Sequence, residues 1–166
     1  MRRVLRDPGN SGAAPATVSE SRRGIRPLCS EHGKAAARDE AIRDHHRAGK
    51  PIVAECGGML YLLEALTDQA RKYASMVGLL PGEAIMQGKL ANLGLHSLEL
   101  EGGRRVRGHS FHHSRLSTSL TPAAMSLPAR ADRYPEPVFR IGRLHASYLH
   151  LYFPSNPGAC ARLFIS

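Results

Sequence analysis

Cys56 is the residue in this sequence best placed to do chemistry. It stands between a short apolar run, Pro51-Ile52-Val53-Ala54, and a segment with apolar residues at 59, 60, 62, 63 and 66, and Gly57 and Gly58 follow it directly. A strand that turns sharply into a helix holds the residue at the turn in a strained conformation and lifts its side chain clear of the backbone. That is the logic of a nucleophile elbow, here with Cys in place of Ser. The two glycines let the chain turn tightly and let a substrate approach the backbone. In such a turn the Gly57 N–H points at the oxyanion of a tetrahedral intermediate. The helix N-terminus behind it favours the thiolate. The competing reading is a buried structural cysteine beside a glycine turn.

A cysteine nucleophile needs a base. Six of the nine histidines lie from His96 onward: His96, His109, His112, His113, His145 and His150. They fall mostly in two segments, Arg107-Gly108-His109-Ser110-Phe111-His112-His113-Ser114 and His145-Ala146-Ser147-Tyr148-Leu149-His150-Leu151-Tyr152-Phe153. Both read as strands or strand ends, and a histidine there can reach an elbow cysteine in space though distant in sequence. Periodicity does not choose among the six. A metal-dependent hydrolase built on His109, His112, His113 and a carboxylate is a further reading. It is disfavoured because residues three apart on a strand point to opposite faces.

The elements that must hold these residues follow from the surrounding pattern. Lys34 to Ala48 favours helix, and Gly49 stands where a helix-ending glycine belongs. The run 51–54 has no alternation, which suits a strand covered on both faces of an α/β sheet. The helical spacing that follows predicts a helix over 59–66. Beyond it, strands are expected at Glu83–Met86, Leu93–Leu100, Val106–Leu116 and Val138–His150. Residues 117–136 read as a long surface connection. Asn156-Pro157 starts a last helix, with Ala159, Cys160, Leu163 and Phe164 facing inward. Val106, Phe111, Leu149 and Phe153 are expected in the core. Residues 1–30 are small, polar and turn-rich, and read as disordered or unrelated to the folded unit, 31–166.

Composition bounds the rest. The chain has 166 residues, 42% of them apolar, enough for one domain with a sizeable core. No apolar run approaches the ~20 residues of a membrane span. Cys29, Cys56 and Cys160 are odd in number and widely spaced, so no disulfide framework is expected and the cytoplasm is the default location. The net charge is +9, but residues 1–34 carry +4 of it, and the only later cluster is Arg104-Arg105-Val106-Arg107. With no Trp and no alternation of basic and aromatic residues, a nucleic-acid partner is not expected.

Three ordered segments carry a family resemblance. Lys50-Pro51-Ile52-Val53-Ala54-Glu55-Cys56-Gly57-Gly58-Met59-Leu60-Tyr61-Leu62 resembles the nucleophile segment of the glutamine amidotransferase domain of cobyrinate or hydrogenobyrinate a,c-diamide synthases. Residues 107–114 resemble that family's Arg-Gly-His-Glu-Phe-His-Tyr-Ser strand, and residues 146–157 its C-terminal histidine segment. The resemblance covers residues 31–166. It implies a class I, Cys-His amidotransferase fold: α/β, with a mostly parallel sheet flanked by helices, here incomplete at its N-terminal edge. It also implies that Cys56 attacks the side-chain amide of glutamine while His150 acts as base. Gly57 and Gly58 would bind the oxyanion and substrate. Glu55, His109 and His112 stand as supporting residues.

The same resemblance implies that ammonia passes to a synthetase domain or subunit, which uses ATP and Mg²⁺ to activate the a and c carboxylates of a corrin precursor. No Gly-x-x-x-x-Gly-Lys-Ser/Thr occurs here, so no cofactor is expected in this chain itself. Ser110 stands where the resembled motif has Glu, His113 where it has Tyr, and no His-x-Glu follows at His150, so no third triad member is assigned. The family's Gly-Gly-Tyr-Pro-Glu turn has no counterpart before Glu31, which suggests a truncated or frame-shifted start and an exposed sheet edge able to pair as a homodimer. That departure also supports the alternative of an inactive remnant or a docking subunit.

Overall fold

The computed structural model describes residues 16–18 and 32–165, with side chains from residue 36 onward. Strand β1 (Ala16–Val18) runs parallel to β2 (Ile52–Glu55), pairing Ala16 with Ile52 and Val18 with Ala54. The reading of residues 1–30 as disordered or unrelated otherwise falls outside the described residues, as does Cys29. Helix α1 (His32–Arg47) is the expected first helix. Glu40 bridges Arg43 at 3.0 Å and Arg47 at 2.6 Å on its outer side, while Ile42 is buried. Gly49 ends it at φ 66°, a left-handed value that suits glycine, and donates its N–H to the His46 carbonyl.

All four residues of β2 are buried, as the unalternating run required. On its other side lies β12 (Leu144–Ser147), also parallel, with Ser147 opposite Glu55. β11 (Pro137–Ile141) and β9 (Ala124–Met125) continue this sheet antiparallel, giving the order β1-β2-β12-β11-β9. The parallel core that carries the elbow is thus β1-β2-β12.

Helix α2 is shorter than its spacing predicts. It spans Gly57–Leu62, and the chain then extends into β3 (Leu63–Thr67), with Leu63 at φ −64° and ψ 175°. The apolar residues after 62 satisfy a strand as well as a helix, and pairing decides the outcome. β3 lies between β4 (Tyr73–Ser75) and β5 (Leu80–Met86), and β8 (Ser114–Ser117) completes this second sheet.

A third sheet is built on a long hairpin. β6 (Asn92–Leu100) and β7 (Arg104–His112) pair along their whole length, with β10 (Leu127–Pro128) outside β6 and β13 (Leu149–Tyr152) outside β7. The strands expected at Val106–Leu116 and Val138–His150 are therefore divided, the first at His113, the second at the Gly142 turn and at Tyr148. The 117–136 connection contains two short strands and the fully buried Ser126. After a 3-10 turn at Phe153–Ser155, helix α3 (Pro157–Ile165) begins as expected, its cap formed by the Asn156 side chain accepting the Ala159 N–H at 3.1 Å. Ala159, Cys160 and Leu163 face inward.

The largest core cluster joins β2, α2, β3, β5 and β12 through residues such as Ile52, Met59, Leu62, Leu80 and Leu144. Val106 and Leu149 are fully buried, and Phe153 is partly buried against α3. Phe111 is not a core residue: it is 47% exposed. On β7 the even positions 106, 108 and 110 face inward and the odd ones outward, so Phe111 cannot share the face of Val106. Among the described residues no helix is long and apolar enough to cross a membrane.

Candidate active site

Cys56 sits at the sharp junction of β2 and α2 with φ 48° and ψ −110°, a conformation that L-residues rarely adopt. Holding a side chain there costs about 1–3 kcal/mol, and such strain persists only where the surroundings fix it. Three contacts do so. The Cys56 N–H is donated to the Ser147 carbonyl at 2.8 Å, and the Cys56 carbonyl accepts from Leu60 at 3.1 Å. The Cys56 Sγ lies 3.7 Å from the Phe111 carbonyl. The thiol is thus raised from a strand buried on both faces toward the end of β7. Gly57 and the buried Gly58 open α2 immediately behind it.

The candidate bases separate into two groups. His150 lies on β13, three residues beyond the Ser147 carbonyl that receives the Cys56 amide. It pairs across the ladder with His109 of β7, and the two rings stack at 4.9 Å between centroids and 17° between planes. Burial, and then the neighbouring His109, hold the His150 imidazole below its ordinary range. It therefore stays neutral, and able to accept a proton, at neutral pH. Glu55 does not pair with a histidine. Its carboxylate accepts the Leu151 N–H at 2.9 Å, next to His150, and burial pushes it above the ordinary carboxyl value.

His112 belongs to a different cluster. Its Nδ1 meets the Ser114 carbonyl at 3.0 Å, its Nε2 meets Glu136 at 3.0 Å, and its ring stacks on Tyr148 at 3.6 Å. Glu136 also accepts from Ser110 Oγ at 2.5 Å and Asn92 Nδ2 at 2.6 Å. Burial would raise this carboxyl, but the donors from His112, Ser110 and Asn92 outweigh it and hold the group below its ordinary value. Burial, with the charges of Glu136 and Cys56 nearby, pushes Tyr148 up to about 12. An open cleft of about 480 Å³ exposes part of this cluster.

The sequence reading missed Glu136. The one signal in the sequence is a carboxylate between two prolines, Pro135-Glu136-Pro137, in a stretch that reads as a surface connection. Ser110, which stands where the resembled motif has Glu, turns its hydroxyl to this carboxylate.

The remaining histidines lie apart. His96 is buried with its Nδ1 at 2.9 Å from Ser126 Oγ. His145 is opposite Val53 on β12, and His113 packs edge-on to Phe111 at 5.5 Å. Among the described residues no group of three or more His, Cys, Asp or Glu is arranged to hold a metal. His112, central to the metal reading, has a partner at both ring nitrogens. Cys160 is buried, and burial pushes its thiol up, away from nucleophile chemistry.

A strained cysteine between a doubly covered parallel strand and a glycine-led helix has the geometry of a nucleophile elbow, and the fold around it is that of a glutamine amidotransferase. A solved structure described as a glutamine amidotransferase shares this fold, superposing with a TM-score of 0.51, at 19% identity, over 79% of this chain and 70% of its own. More specifically, the chain belongs to the CobB/CobQ-like glutamine amidotransferase domain family, whose sequence model matches residues 30–158. It is 57% identical over 124 residues to the hydrogenobyrinate a,c-diamide synthase of Stutzerimonas stutzeri, covering 75% of this chain and 29% of that one. It is 52% identical to the protein of the same name from Pseudomonas aeruginosa, covering 75% and 28%. It is 44% identical to the cobyrinate a,c-diamide synthase of Herminiimonas arsenicoxydans, covering 82% and 31%. The chain thus spans less than a third of the length of these relatives.

Proposed function

We propose that this domain hydrolyses glutamine and supplies ammonia for ATP-dependent a,c-diamidation of cobyrinic or hydrogenobyrinic acid in cobalamin biosynthesis. The Cys56 elbow is the observation that carries the reading, since a strained, raised thiol serves nucleophilic attack and no packing need. His150 takes the thiol proton and Cys56 Sγ bonds to the amide carbon of glutamine. The oxyanion that forms is met by the N–H groups of Gly57 and Gly58. The carbon–nitrogen bond then breaks, with His150 returning the proton to the departing ammonia. His150 next activates a water, which releases glutamate from the thioester. The synthetase part, with ATP and Mg²⁺, would activate the corrin carboxylates and join them to the ammonia. The relatives, synthases of the a,c-diamides of cobyrinate and hydrogenobyrinate, support that substrate class, and their greater length leaves room for such a part.

The test is release of glutamate and ammonia from glutamine by the purified chain. Turnover is expected in the wild type, with a loss of about 10³-fold or more in Cys56→Ala and about 10²- to 10⁴-fold in His150→Ala. A folded wild-type chain without turnover would overturn the reading and leave a docking role.

A further inference from the structure

We propose that His109 is a positioning residue for His150, its ring stacking on the base's imidazole and holding it in place. The inference rests on the reading of His150 as the base. Three features of the structure converge on this one residue. The first is the stack itself: His109 and His150 are cross-strand partners, and their rings lie nearly parallel, 4.9 Å apart. Paired residues project from the same face of a ladder, so the contact is built into the register.

The second feature is the peptide unit between His150 and Leu151, which is held at both ends. Its N–H is donated to the Glu55 carboxylate at 2.9 Å. Its carbonyl lies against Gly108, where a Cβ would come within 2.7 Å of the His150 oxygen. Only glycine lets the strands approach this closely, beside the stacked pair. Arg107-Gly108-His109 thus acquires a physical meaning. Gly108 admits the backbone of the base, and His109 packs on its ring.

The third feature is charge. His109 of β7 faces the His150 imidazole ring to ring, and Glu55 at the end of β2 reaches the next residue of the strand. Glu55 is engaged with the Leu151 N–H, and Arg107 stands opposite Tyr152 in the ladder, two positions from the His109–His150 pair. Burial, followed by His109, lowers the affinity of His150 for a proton.

Two substitutions separate ring from charge. His109→Phe keeps a flat ring and removes the charge, whereas His109→Ala removes both. The readouts are an NMR titration of the His150 imidazole and the pH profile of glutamine hydrolysis. In His109→Phe, the His150 midpoint is expected to rise, and the acid limb of kcat to move with it. In His109→Ala, kcat is expected to fall by about tenfold with KM for glutamine within about twofold, and His109→Phe should recover most of that loss. An unmoved His150 midpoint in His109→Phe overturns the electrostatic role. Equal loss of kcat in both variants overturns the packing role. The titration needs no activity: if the wild type lacks turnover but the midpoint moves, the glutaminase reading falls and the contact of His109 with His150 stands.

Discussion

Cys56 occupies a conformation whose cost can be measured apart from its chemistry. Its φ and ψ approximate the mirror image of an extended residue, a region open to glycine and closed to side chains. Cys56→Ala and Cys56→Gly should both abolish glutamine hydrolysis, but they should differ in stability. Cys56→Gly is expected to be more stable than Cys56→Ala by about 1 kcal/mol, because it releases the strain. Urea unfolding of the two variants checks this, and a less stable glycine variant would show that the elbow is unstrained. The position of Cys56 was legible in the sequence because a doubly buried strand and two glycines bracket it. Its partners were less legible. Spacing alone could not separate His150 from five other histidines, since the choice depends on which strand ends meet in space. The family resemblance selected it.

Elements show where local pattern suffices and where pairing overrides it. β2 was readable because burial on both faces removes alternation, and α1 because Gly49 marks its end. The α2–β3 boundary was not, since Leu63 and Leu66 fit either period until β5 pairs with β3. Phe111 was misplaced for a simpler reason. It lies five positions from Val106, an odd number, and an odd step on a strand crosses to the other face. Glu136 escaped notice because a carboxylate in a connection gives no sign that Asn92 of β6 and Ser110 and His112 of β7 will converge on it. That convergence ties the hairpin to the start of β11. Glu136→Ala should therefore cost about 3–5 kcal/mol, since it strands three buried donors. Glu136→Gln, which keeps an acceptor oxygen, should cost less. Urea midpoints of the two variants decide the matter, and equal, small losses would mean that water satisfies the cluster.

Across the whole molecule, the buried titratable groups set a pH response. Burial is the first cause that lowers the proton affinity of His96, His145 and His150 from the ordinary 6.5, with Arg140 adding to it at His145 and His109 at His150. The unfolded chain takes up protons at these positions near the ordinary value, and the folded chain resists them. Stability is thus fully present above about pH 6.5 and falls as the pH drops below it. Glu136, held below 4.5, adds a further loss at lower pH, whereas Glu55, raised by burial, acts in the opposite sense as pH rises through 4.5. The urea midpoint should decline between pH 7 and pH 5, with a smaller slope in His145→Gln. A flat response would remove the histidines from the account.

One long-range bond has a consequence for how the domain comes into being. The strand that leads to Cys56 is synthesised well before the carbonyl that receives its amide, that of Ser147, and before the backbone clamped by Glu55, 96 positions further on. Contacts of such separation close slowly, because a long stretch of chain must be ordered first. Until then Cys56 has no seat and is an unexceptional thiol. The seat of Cys56 is therefore completed only once β12 and β13 have been made and docked on β2 and β7.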